Sequence, residues 1–258
     1  LMNNQRSKSR KNSNFEIKDT SFINKETHSL FVGYENLSLS SNVLEIYVSD
    51  KSIKTLNQLN TPFMLVTDNT PFYPEGGGQI SDIGVISSKN TKIKVLNVQK
   101  INNLILHHTI LESGEITVGD RVQMEIDAPR RKKITINHSS THLLNQALRE
   151  VLGSHVEQKG SLVTDKYLRF DFSHNKPLTS DEIQSIEKII SNEISACVST
   201  KQKVTSYKKA IESGALAFFD EKYDDEVRVV NIGSNSVELC GGTHITDTSS
   251  IRLFKILN

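Results

Sequence analysis

The chain has 258 residues, 36% of them hydrophobic and 24% charged, with a formal net charge of +1. That length holds one large domain or two moderate ones, and the balance of apolar and charged residues is that of a soluble, somewhat polar globular protein. No apolar run approaches the roughly 20 residues that span a bilayer, no secretory h-region opens the chain, and two cysteines give no disulfide framework.

Residues 1–14 carry Arg6, Lys8, Arg10 and Lys11 among Asn and Ser, with almost nothing apolar. Such a stretch cannot bury a core and reads as a basic linker or a frayed helix end. The first residue is Leu rather than Met, as expected of a piece of a longer protein. From Leu30 to Asp127 the pattern is of short strands. Leu30–Tyr34, Val43–Val48, Phe63–Thr67, Ile93–Val98, Leu104–Thr109 and Val122–Ile126 are rich in β-branched and aromatic residues, with turn signals between them. Their regular spacing predicts a small barrel or sandwich over 15–128. Inside it, Thr70-Pro-Phe-Tyr-Pro-Glu-Gly-Gly-Gly-Gln79 holds three consecutive glycines, which permit close approach of a ligand or another segment. No Gly-Lys-Ser/Thr follows, so this is not a P-loop.

Asp127 as a cap, Pro129 in the first turn, and Ile134, Leu144, Leu148 and Val151 at helical spacing predict a long helix. Val156–Val163 and Tyr167–Phe172 read as a hairpin. Thr179 and Glu182 form a capping box ahead of the stripe Ile183, Ile186, Ile190, Ile194 and Val198, with Cys197 inside that amphipathic stretch. Gln202–Ser206 reads as strand and Tyr207–Glu212 as a short helix; Ala215–Asp225 reads as a loop in which Phe218 and Phe219 pack. Val227–Asn231 and Ser236–Leu239 make a hairpin that delivers Cys240, and Ile251–Ile256 reads as a last strand. Helices alternating with hairpins predict an α+β core with an antiparallel sheet over 129–258.

Two stretches carry chemistry. His138-Ser-Ser-Thr-His142 puts two imidazoles one helical turn apart on one face. Cys240-Gly-Gly-Thr-His244 favours a tight loop in which thiolate and imidazole fold toward each other. Three histidines and a cysteine are a sensible donor set for Zn2+. A metalloprotease helix carries Glu directly after its first His; here that residue is Ser139. Spacing leaves open whether the site is closed by four protein ligands or keeps one position for water.

His138 to His142 resembles the HxxxH motif of the editing domains shared by alanyl- and threonyl-tRNA synthetases and the free-standing AlaX deacylases. Cys240 to His244 is similar to the matching CxxxH. The glycine-rich Thr70–Gly84 stretch, Leu152–Leu162, Leu168–His174 and Phe31–Tyr34 resemble the alanyl branch in particular. The resemblance implies an internal piece of an alanyl-tRNA synthetase, in three parts. Residues 1–14 would be a basic linker or the end of the tRNA-recognition helix, 15–128 a β-barrel bearing the glycine-rich motif, and 129–258 a zinc-dependent editing core. It further implies hydrolysis of Ser-tRNA(Ala) and Gly-tRNA(Ala), with Zn2+ held by His138, His142, Cys240 and His244. Gln158 would line the amino-acid pocket, and the substrate-binding segment Gly76, Gly77, Gly78 and Gln79 would close over it and contact the acceptor end. Lys159, Arg130 and Arg131 would meet RNA phosphates at the tRNA(Ala) acceptor end. ATP and Mg2+ would serve only a synthetic domain elsewhere in the whole enzyme. Neither DNA nor membrane is an expected partner, and the expected location is cytoplasmic. Two rivals remain: a free-standing trans-editing deacylase, and a non-catalytic zinc-stabilised tRNA-binding module.

Overall fold

The computed structural model describes residues 22–24, 26–217 and 224–257. The basic opening and the pair Phe218 and Phe219 lie outside the described residues. The chain divides into two compact units: one runs to Glu75 and resumes over Ser81–Asp127, and the other takes Gly76–Ile80 and everything from Ala128 onward.

The first unit is a closed antiparallel barrel of six strands, β1 (Ser38–Val48), β2 (Pro62–Thr67), β3 (Gly84–Ser87), β4 (Lys92–Ile101), β5 (Leu104–Ser113) and β6 (Arg121–Ile126). The ring runs β6-β3-β4-β5-β2-β1, and β1 closes it by pairing with β6 from Arg121 opposite Asn42 to Glu125 opposite Ser38. Closure leaves no unpaired edge within the ring. The cause is legible in β6, where residues alternate strictly between exposed and buried: Val122, Met124 and Ile126 point inward while Arg121, Gln123 and Glu125 face out. Ile46, Leu65, Ile86, Ile93 and Leu111 fill the interior with the others, so the barrel is a packed core rather than a channel. The expected strand Leu30–Tyr34 is shorter than its apolar residues suggested. Only Leu30–Phe31 pairs, parallel to Asn69–Thr70, because Val32 already donates its N–H beyond that bridge to Thr70 and the chain then turns. Short pairings that lack any local pattern, such as Lys51–Ile53 on β1 and Ile116–Thr117 against Thr55–Leu56, were not anticipated.

The second unit is built on α1 (Ala128–Leu152), which is buried on every side from His138 to Asn145, the polar His138, Ser139, Thr141, His142 and Asn145 included, and continues into the core with Ala147 and Leu148. A hairpin follows, β7 (Gln158–Val163) against β8 (Leu168–Phe172), with a bulge between Gln158 and Gly160. Gly76–Ile80 lies along β7: Val163 donates to the Gly78 carbonyl at 2.8 Å, and Ile80 donates to the Val163 carbonyl at 3.1 Å. Next comes α2 (Ser180–Ser195), opened by the expected capping box between Thr179 and Glu182. Its stripe of Ile186, Ile190 and Ile194 packs on Leu144, Leu148 and Val230 in one core. A three-stranded antiparallel sheet, β9 (Lys201–Ser206), β10 (Glu226–Ile232) and β11 (Ser236–Leu239), has α3 (Tyr207–Glu212) between its first two strands in sequence.

Two expectations in this unit are corrected. Cys197 is not helical: α2 ends at Ser195, and Cys197 stands exposed beyond the cap with φ of 51°. Ile251–Ile256 is not a strand. Thr248–Ile251 form a 3-10 turn, Arg252 reverses the chain at φ 65°, and Phe254 and Ile256 pack on the core without a ladder partner. Alternate burial there reports a strap with one side down, not strand pairing. Among the described residues no helix is long and apolar enough to cross a membrane.

Candidate metal centre

Two turns of α1 and the loop after β11 bring His138, His142, Cys240 and His244 together, one potential ligand atom from each lying within 4.8 Å of all the others. The helix sets the first two: rings four residues apart stack with centroids 5.4 Å apart. The β10–β11 hairpin ends at Leu239 and hands Cys240 straight into the turn, so that its Sγ lies 3.4 Å from His138 Nε2 and 3.2 Å from His244 Nε2. Gly242 is required by crowding: a Cβ there would lie 2.0 Å from Cε1 of His138. A glycine at that position lets the loop press against the helix.

Each imidazole is held from behind. His138 Nδ1 lies 2.6 Å from Oε1 of Gln79, and that oxygen also accepts the Thr243 backbone N–H at 3.0 Å. The Gln79 amide nitrogen donates to the Thr243 hydroxyl at 3.1 Å, which fixes which end of the amide faces the ring. His138 therefore carries a proton on Nδ1 and turns Nε2 toward the Cys240 sulfur. His142 Nδ1 donates to Glu238 Oε2 at 2.5 Å, and Asn145 Nδ2 secures the other carboxylate oxygen at 2.8 Å. Behind His244, Ser139 Oγ lies 3.4 Å from Nδ1, donates to the Thr135 carbonyl and accepts from Ile245 N–H. The serine standing where a protease would have its glutamate thus braces a ligand. The Glu238–His142 pair is the carboxylate–histidine arrangement usual behind a metal-ligating ring.

The electrostatics follow from burial and neighbours. Burial alone would keep the Cys240 thiol protonated, but His138, His244 and His142 overcome it and bring its pKa well below the ordinary thiol value. Burial likewise opposes a charge on His142, yet the Glu238 carboxylate and Cys240 together raise it above the normal imidazole range. Burial depresses His244, against the pull of Cys240.

A metal fits this donor set. His142 Nε2 is buried and has no hydrogen-bond partner, a costly condition for a polar atom that a ligated cation relieves. One sulfur and three nitrogens, already oriented, match the preference of zinc.

The other residues singled out in the sequence fall in different places. Gln79 belongs to the centre, though as a brace to His138 and Thr243. Gly76 and Gly77 are exposed, the latter at φ 56°. Gly78, at φ 81°, lies so close to β7 that a Cβ would meet Ser161 Oγ at 2.1 Å; its glycine is dictated by backbone packing. Gln158 heads β7, half-buried beside the bulge. Lys159 is exposed and paired with Glu157 at 2.7 Å. Arg130 lies 3.8 Å from Asp165. Arg131 is buried, which is at odds with a phosphate contact at the surface, and leaves Lys132 and Lys133 as the exposed members of that basic run. Glu238 was missed: it lies in β11 just before the Cys240 turn, and its pairing with His142 is 96 positions away in sequence.

Residues 1–130, half of the chain, match the family described as tRNA synthetases class II (A), and the chain belongs to that family. Residues 227–258, which contain β11, Glu238, Cys240 and His244, match the threonyl and alanyl tRNA synthetase second additional domain. The two matches, in this order, agree with the resemblance to alanyl-tRNA synthetase carried by the motifs.

Proposed function

We propose that the chain is an editing part of an alanyl-tRNA synthetase, a deacylase that hydrolyses Ser-tRNA(Ala) and Gly-tRNA(Ala) in the cytoplasm. The observation that carries the reading is the convergence of three buried or half-buried imidazoles and a thiol, one imidazole nitrogen lacking any partner, within a chain of the tRNA synthetase family. The need for such a site is physical. A synthetic pocket sized for alanine cannot sterically exclude glycine, and an added hydroxyl gives only about 1–3 kcal/mol against serine, so a second, hydrolytic site must supply the rest.

Zinc bound by His138, His142, Cys240 and His244 would supply Lewis acidity or an anchor for the substrate amino group. The chain's own residues do the positioning. Gln79 and Glu238 hold Nδ1 of His138 and His142, so both rings present Nε2 inward, where a bound ion would displace any proton. Ser139 is engaged with Thr135, Ile245 and His244 and has no free role as a base. In the overall reaction water adds its oxygen to the ester carbonyl carbon, and the ribose oxygen leaves with a proton. Gln158, with an amide able to donate and accept, would meet the serine hydroxyl; Lys159, Arg130, Lys132 and Lys133 would meet acceptor-end phosphates.

The test follows deacylation of Ser-, Gly- and Ala-tRNA(Ala) by the 258-residue chain. Serine and glycine should be released and alanine retained. Cys240→Ala with His244→Ala should slow release at least about a hundred-fold, as expected when several kcal/mol of Lewis-acid stabilisation are lost. Binding of tRNA with no release of serine would instead establish a zinc-stabilised binding module, the reading favoured by a site closed with four protein donors.

A further inference from the structure

The turn that carries two of the four donors is gripped by an arginine outside both motifs. Arg228 lies in β10, and its backbone carbonyl accepts the Cys240 N–H at 3.0 Å. Its side chain reaches the same turn: Nη1 donates to the carbonyl of Cys240 at 2.9 Å and to that of Gly242 at 2.7 Å. Nη2 donates to the side-chain oxygen of Gln202 on β9, which anchors the guanidinium to the sheet. One residue thus holds Cys240 through main chain and side chain together and ties it to a second carbonyl two residues on.

The turn needs a holder. Gly241 is exposed, with open space where a Cβ would stand, and consecutive glycines give a loop more freedom than any other pair. On its inner side the turn is held by the Gly242 N–H, 3.4 Å from Cys240 Sγ, and by the Thr243 N–H on Gln79. Arg228 fixes the carbonyls that these contacts do not. A guanidinium is planar, permanently charged and able to bind two acceptors at a fixed angle, whereas an ammonium is a single flexible point.

We propose that Arg228 is a positioning residue for the metal centre: by clamping the carbonyls of Cys240 and Gly242 it keeps the Cys240–His244 turn in its ligating shape and slows release of the ion. This rests on the metal reading of the site given above. Arg228 acts through the backbone of the turn, and the donor atoms themselves stay those of the quartet.

The 258-residue chain, loaded with zinc or with cobalt(II), is compared with Arg228→Gln, Arg228→Lys and the exposed control Lys203→Gln. Zinc release to excess chelator is timed, and the thiolate-to-cobalt charge-transfer band reports ligation by Cys240. Arg228→Gln should release zinc at least about tenfold faster, the range for outer supports of metal ligands, with a weakened or displaced cobalt band. Arg228→Lys should fall between it and wild type, and Lys203→Gln should match wild type. An Arg228→Gln protein that is folded by circular dichroism yet keeps wild-type release and spectrum overturns the assignment and leaves the metal site standing. Should that variant fail to fold, wild-type release from Arg228→Lys overturns it equally. A wild-type chain that takes up neither ion removes the metal reading, and the assignment falls with it.

Discussion

Both units bury histidines, and they do so to opposite effect. In the barrel, His107 is fully buried with both ring nitrogens bonded: Nδ1 lies 2.9 Å from the Leu65 carbonyl and Nε2 lies 2.8 Å from the Thr70 hydroxyl. Its carbonyl partner can only accept, so Nδ1 donates and Nε2 accepts from the threonine. The ring is neutral, satisfied and structural. In the second unit His142 is as deeply placed, but while Nδ1 is bonded to Glu238, Nε2 has no hydrogen-bond partner and faces a thiol and two further rings. The comparison teaches that burial of a histidine says little about function; whether its second nitrogen is answered within the protein says much more.

The largest effect should come from chelation. Removing metal should destabilise the second unit and spare the barrel, separating two thermal transitions. At a free zinc concentration about a thousand times the dissociation constant, the stabilisation lost is about 4 kcal/mol. Coincident transitions at every chelator concentration would erase the contrast between the units.

A smaller effect should come from acid, and in the barrel. Burial depresses the pKa of His107 to about 4, against about 6.5 for an unfolded chain. The unfolded state then binds the extra proton first. Stability is intact above about pH 6.5, erodes as the pH falls toward 4, and has no further contribution from this ring below that. The loss is about 3 kcal/mol, read as the difference in pH dependence of urea midpoints between wild type and His107→Gln. An identical pH slope in the two proteins would mean that the ring is not held neutral.

The smallest should come from Glu238→Gln, which keeps the shape but removes the charge behind His142. Zinc affinity should fall about ten- to a hundred-fold, measured by competition with a chromogenic chelator, while the barrel transition stays in place. Unchanged affinity would show that a neutral amide oxygen behind His142 holds the ring as well as the carboxylate does.

Much of this was legible along the chain. Alternation in β6 and the 3.6-residue stripe of α2 are direct readouts of which side meets a core, and α3 fell on Tyr207–Glu212 as expected because Ser206 caps it. The quartet was legible because its spacing within each segment is local. The braces were not: Gln79 to Thr243 spans 164 positions and Asn145 to Glu238 spans 93, and pairing of buried polar groups at such separation leaves no periodic trace. The terminal strap misled for the converse reason, since its apolar alternation is real but records burial against a core and not a neighbouring strand.

The brief excursion of Gly76–Ile80 has a practical corollary for anyone dissecting the molecule. A truncation starting at Ala128 would retain every candidate ligand, yet it would strand the Nδ1 proton of His138 and strip β7 of the backbone laid beside Val163. Neither half is therefore a clean excision. A transplantable module would have to bring those five residues along, either on a grafted linker or supplied as a separate peptide.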